Sequence, residues 1–142
     1  MRRSSFFVVL IAFPVLVFSQ DVFGKWKTVD DETGEEKSVV EIYEENGKVF
    51  GRIVEILNPD RKNALCNRCE GSDKNKPISG MIILKNMKKG DEYYEGGTIF
   101  DPSKGKKYKC KLWLNESDTN ILNVRGYIAF LFATQHWKRV VD

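Results

Sequence analysis

The chain is poor in the residues from which most catalytic and metal centres are built: it has one histidine and three cysteines among 142 residues. A Ser-His-Asp or Cys-His arrangement would have to use His136, and its neighbours Gln135 and Trp137 form no catalytic signature. A structural zinc site needs four ligands. Beyond Cys66 and Cys69, only Cys110 and His136 remain as soft donors. No apolar run reaches the ~20 residues that a spanning helix needs. Blocks of like charge are also missing, since lysines and glutamates are interspersed and the formal net charge is +3. That balance gives no electrostatic case for nucleic acid or an anionic membrane. No catalytic set, metal or cofactor is expected.

What is present begins with a leader. Arg2 and Arg3 precede a 13-residue apolar run, Phe6 to Phe18, interrupted by Pro14. This length suits the core of a signal peptide. Val17 and Ser19 occupy the −3 and −1 positions of a cleavage site, so residues 1–19 are read as a leader and 20–142 as the mature domain. No cysteine follows the run to carry a lipid. The expected protein is exported, periplasmic or secreted, without a stable membrane anchor. Losing Arg2 and Arg3 leaves 21 basic against 20 acidic residues. The remaining length makes one domain with one core.

Turn signals recur about every ten residues and divide the mature chain into short β runs, a spacing that favours a sandwich or barrel. Asn46-Gly47 between Lys37–Glu44 and Lys48–Leu57 is a hairpin signal, because both residues tolerate positive φ. The cleanest alternation lies in Lys106–Asn115. There Tyr108, Cys110, Leu112 and Leu114 point one way, and Lys107, Lys109 and Lys111 the other. Trp113 interrupts the polar face. Ile78–Met87 reads equally as a buried strand or a helical turn. The reading is all-β: a small antiparallel up-and-down barrel of about eight strands, with one long loop, Asn58 to Pro77.

Gly24-Lys25-Trp26 near the start and Arg139 near the end resemble the calycin pattern of lipocalins. The resemblance implies that Trp26 packs under Arg139 where first and last strands meet. A wider set of segments occurs in order: Gly24-x-Trp26-x-Thr28-x-Asp30-Asp31-x-Thr33-Gly34, Cys66-x-x-Cys69, Pro77-Ile78-x-Gly80-Met81, Gly96-Gly97-x-Ile99-x-Asp101-Pro102, Gly105-Lys106-x-Tyr108 and Val124-Arg125-Gly126-Tyr127-Ile128. Together they resemble the bacterial secreted family called domain of unknown function 2147. That likeness implies fold and export, and brings no activity with it. The chain departs from the family in having only Ala129 to Ala133 before Thr134-Gln135, so no role of a longer loop there is carried over.

Cys-x-x-Cys can be a redox dithiol, half a zinc site, free thiols or a local disulfide. In a polar loop of an exported protein the expected form is the Cys66–Cys69 disulfide. Cys110, left over, is expected to be a small buried hydrophobe. Asp30, Asp31 and Asp101 sit in turns, where Asp bonds its own backbone. Arg125 and Tyr127 share one strand face. Pointing inward, they would anchor the polar end of a ligand; pointing outward, they are surface residues. The site expected from sequence is Arg125, Tyr127 and Trp137 around a small, apolar or amphipathic ligand. The alternatives are a cell-envelope interaction module acting through the 58–77 loop, with an unknown protein partner and a basic face of Arg61, Lys62, Arg68, Lys74 and Lys76, and a hydrolase-type enzyme using His136 or the turn carboxylates.

Overall fold

A computed structural model describes residues 4–14 and 21–141. The expected cleavage after Ser19 lies outside the described residues. Residues 4–14 are exposed and form no helix or strand. Among the described residues no helix is long and apolar enough to cross a membrane.

Eight strands follow: β1 (Gly24–Val29), β2 (Glu36–Glu45), β3 (Lys48–Ile56), β4 (Ile82–Lys89), β5 (Tyr94–Asp101), β6 (Lys106–Leu114), β7 (Ile121–Ile128) and β8 (Leu131–Arg139). Each pairs antiparallel with the next, and β8 returns to β1, so the sheet is a closed up-and-down barrel. The Asn46-Gly47 turn between β2 and β3 has φ of 52° and 75°, as a type I′ hairpin requires. The ambiguous Ile78–Met87 stretch resolves into turn and strand. Gly80, at φ 92°, ends the loop, and β4 starts at Ile82.

Strand alternation sorts the side chains. Trp26, Val40, Ile42, Val49, Leu84, Met87, Leu112 and Leu122 fill one end of the barrel as a packed core. Trp26 lies at the bottom, fully buried, with its indole N–H donated to the Val22 carbonyl at 2.9 Å. That bond satisfies the one polar atom of the indole.

The barrel closes at this end. Trp26 pairs with Arg139 and Lys27 with Lys138, and these are the two β1–β8 register pairs. The Arg139 guanidinium carbon stands 4.3 Å from the centre of the Trp26 indole. Its nitrogens donate to the carbonyls of Asp21, Phe23 and Thr119 at 2.9, 3.3 and 3.1 Å. One side chain therefore ties β8 to the segment before β1 and to the β6–β7 loop. A lysine could supply the charge but not the planar fork that reaches several acceptors at once.

Arg139→Ala is expected to lower the unfolding free energy by about 2–4 kcal/mol, from the lost cation–π contact and the orphaned carbonyls. Arg139→Lys should recover part of it. Urea denaturation followed by tryptophan fluorescence measures both.

Candidate functional site

The other end of the barrel is open. A cavity of about 580 Å³ enters there, between the β1–β2, β3–β4, β5–β6 and β7–β8 connections. Its walls are the inward residues of successive strands, among them Ile53, Ile83, Ile99 and Val124, with Trp137 deepest on β8. Gly126 and Ala133 face each other across β7 and β8 and leave one wall thin. Polar groups concentrate on one side. The Thr28 and Ser38 hydroxyls are 2.8 Å apart, and Gln135 accepts the Trp137 indole N–H at 3.0 Å. Arg61, Lys37 and Lys104 stand at the rim with Glu35 and Asp101. A mostly apolar cleft of this volume with a few convergent polar groups has the form of a small-molecule site.

The seam between β1 and β8 is paired only near the closed end. Towards the mouth, Thr28 on one side and Ala133 and Gln135 on the other are not joined by a ladder, and Ala133 and Gln135 are exposed. The cavity thus opens sideways as well as upward.

The long loop forms the mouth. Leu65 bridges Pro77, and Cys66 exchanges backbone hydrogen bonds with Lys76 and Asn75 at 2.8 and 2.9 Å. Cys66 and Cys69 are joined in a disulfide, with their Cα atoms 5.3 Å apart. The Cys66 sulfur approaches the Pro102 carbonyl at 4.0 Å. Gly105, at φ 65°, lies so close to the backbone of Arg68 that any Cβ there would collide with it. The disulfide loop is therefore seated against the β5–β6 turn. The loop expected as an interaction surface is part of the cavity's rim, with Arg61 and Ala64 on its lining.

Of the ligand residues expected from sequence, only Trp137 lines the cavity. Arg125 and Tyr127 are a correction. Their neighbours Val124 and Gly126 take the inward positions, so the two-residue period sends 125 and 127 to the outside. Arg125 lies over the rings of Trp113 and Phe132, at 4.9 and 4.4 Å, and donates to the Thr134 hydroxyl at 2.7 Å. Lys111 lies 5.7 Å from the Tyr127 ring and 5.3 Å from that of Tyr93. A guanidinium and a phenol do line the cavity, but they come from Arg61 and Tyr108. The alternation of β6 had already put Tyr108 on the apolar face. Arg61, in an irregular loop, carried no periodic signal.

The other sequence candidates are held elsewhere. His136 is on the outer face, exposed, with Nδ1 2.7 Å from the Asn123 side-chain oxygen. Asp30 accepts from the backbone N–H groups of Thr33 and Glu32 and pairs with Lys37 at 3.2 Å. The Thr33 N–H first, then Lys37 and Glu32, hold its carboxyl below the usual range. Asp101 accepts from Ser103 twice. Among the described residues no group of three or more His, Cys, Asp or Glu is placed to hold a metal ion. Cys110 is buried and faces inward, and burial pushes its thiol up to about 12 from an ordinary 9.0.

A family model described as "Uncharacterized protein conserved in bacteria (DUF2147)" matches residues 24–139, which is nearly all of the barrel. The chain belongs to the DUF2147 family. Among solved structures, "Protein HP1028 from the human pathogen Helicobacter pylori belongs to the lipocalin family" is similar. It is 22% identical with a TM-score of 0.75, over 87% of this chain and 86% of that one. At that identity the likeness establishes a shared fold. No curated protein matches significantly. In this DUF2147 protein the motif residues Tyr108 and Gly126 line the cavity, Trp26 is buried in the closed end, and Gly105 seats the disulfide loop.

Two outcomes are expected. Native Cys110 should resist thiol reagents and react only on unfolding. Its folded pKa exceeds the unfolded one, so the stabilisation is intact below pH 9 and erodes from pH 9 to about 12, where only the unfolded chain ionises. Denaturation midpoints of the parent and Cys110→Ala across that range, read as a difference, check it. Gly105→Ala should cost about 1–3 kcal/mol from the left-handed φ and the collision with Arg68. Hydrogen exchange should then speed up in residues 64–78.

Proposed function

We propose that this protein is an exported carrier for a small amphiphile, holding an apolar chain inside the barrel and its polar end at the rim. The observation that carries the reading is the open cavity walled by Ile53, Ile83, Ile99, Val124 and Trp137 beneath a charged rim. Aliphatic side chains offer no directional contact, so the walls select for apolar bulk. Selectivity would come from Arg61 and Lys104, whose charges favour an anionic head, and from the Tyr108 hydroxyl. Asp101 is engaged by its own turn and competes little for those cations. The basic-apolar leader and the Cys66–Cys69 disulfide support export, since such bonds persist outside the cytoplasm.

The test is native mass spectrometry of the mature protein, 20–142, followed by titration with a fluorescent fatty acid. The parent is expected to bind and to change its Trp137 emission. Ala133→Trp should fill the cavity and abolish binding while the fold is kept. Arg61→Ala should weaken binding roughly tenfold through loss of a charge-assisted contact. Arg125→Ala should leave it unchanged, because Arg125 is outside. Equal binding by the parent and Ala133→Trp would remove the cavity from the account.

A further inference from the structure

The β7–β8 hairpin ends in a two-residue turn, Ala129-Phe130, at the same end as the cavity mouth. Ala129 adopts φ 52°, a conformation that an L residue with a Cβ takes reluctantly. Around it Ile128, Phe130, Leu131 and Phe132 are 53, 88, 65 and 59% exposed. The β2–β3 hairpin of the same protein uses Asn46-Gly47, which suits positive φ and water. The β7–β8 tip does neither: it is strained and projects large apolar side chains into solvent. A contiguous patch of that kind marks contact with an apolar phase.

The flanking strand says which phase. Lys109 sits opposite Tyr127 across the β6–β7 ladder, and Lys107 lies on the same face one step nearer the mouth. Among the described residues no ion pair is recorded for Lys104, Lys106, Lys107 or Lys109. The near-neutral total conceals this segregation. Acidic residues Asp31, Glu32 and Glu35 belong to the β1–β2 turn, on the other flank of the hairpin. Below the tip, the outer face interleaves Trp113, Tyr127 and Phe132 with Lys111 and Arg125. Amphipathic aromatics beside cations are the composition of a membrane–water interface. The apolar feature is also convex, a hairpin tip and not a groove, and a bilayer surface can receive a protrusion without a matching pocket.

We infer that the β7–β8 tip is a membrane-docking wedge. It buries Phe130 and Leu131 at the acyl boundary of an anionic bilayer, with Lys104, Lys106, Lys107 and Lys109 against its headgroups. The acidic turn then faces away, which tilts the barrel onto its β6 side and brings the mouth to the lipid surface. Docking is independent of what the cavity holds.

Co-sedimentation of the mature protein with phosphatidylcholine vesicles, with and without one-third phosphatidylglycerol, tests this. Binding is expected to be at least tenfold tighter with phosphatidylglycerol and to weaken with salt. Phe130→Ser/Leu131→Ser should lose tenfold or more, and Lys106→Gln/Lys107→Gln/Lys109→Gln should erase the preference for phosphatidylglycerol. Both variants change exposed residues, and circular dichroism checks their fold. Phe130→Trp should add emission that brominated acyl chains quench. Absence of vesicle binding, binding indifferent to phosphatidylglycerol, or binding that survives the double serine change would overturn the inference. So would a dimer in solution that the double serine change dissolves, since the tip would then belong to a second copy. Fatty-acid titration without vesicles reads the cavity separately.

Discussion

Closure of this sheet depends on one guanidinium placed over one indole. Two β1–β8 register pairs are few for a seam, and strand twist alone would let the ends splay. Arg139 makes up the difference by holding three carbonyls from two other segments while covering Trp26. Because the seal is concentrated at one end, the rest of the barrel need not be filled to stay closed.

The two ends then have different duties. The floor, built from Trp26, Leu112, Leu122 and Met87, supplies the buried apolar area on which stability rests. The upper half gives up such packing: Gly126 and Ala133 are small, Ala133 and Gln135 reach solvent, and the mouth is held by a disulfide loop seated on Gly105. The two halves still share one core, since the cavity-wall residues Ile53, Ile83, Val124 and Trp137 pack in the same cluster as Trp26, Leu112 and Leu122.

The period-two patterns made the barrel legible from sequence, and the turn residues located nearly every connection. Trp26 and Arg139 were legible through the resemblance to the calycin pattern, which agrees with the adjoining of first and last strands in a closed sheet. The site was less so. Alternation assigns residues to two faces without naming which is inside, and the choice of Arg125 and Tyr127 fell on the wrong one. Their chemistry looked like a binding pair, yet on β7 the apolar Leu122 and Val124 mark the interior. Arg61 was beyond reach for another reason: its position at the rim depends on how 25 residues of connection between β3 and β4 fold back across the barrel end. The exposed tip was hidden too, because Ile128 to Phe132 contains none of the Asn, Asp, Gly or Pro that mark an exposed turn.

The unjoined upper seam bears on how far the mouth can open. Beyond Trp26–Arg139 and Lys27–Lys138, β1 and β8 share no register pair among the described residues, so the upper seam can widen without breaking backbone pairing. A barrel paired along its whole length could widen only by breaking its ladder, whereas this one has an unpaired stretch of seam beside the cavity while Trp26 and Arg139 hold the other end.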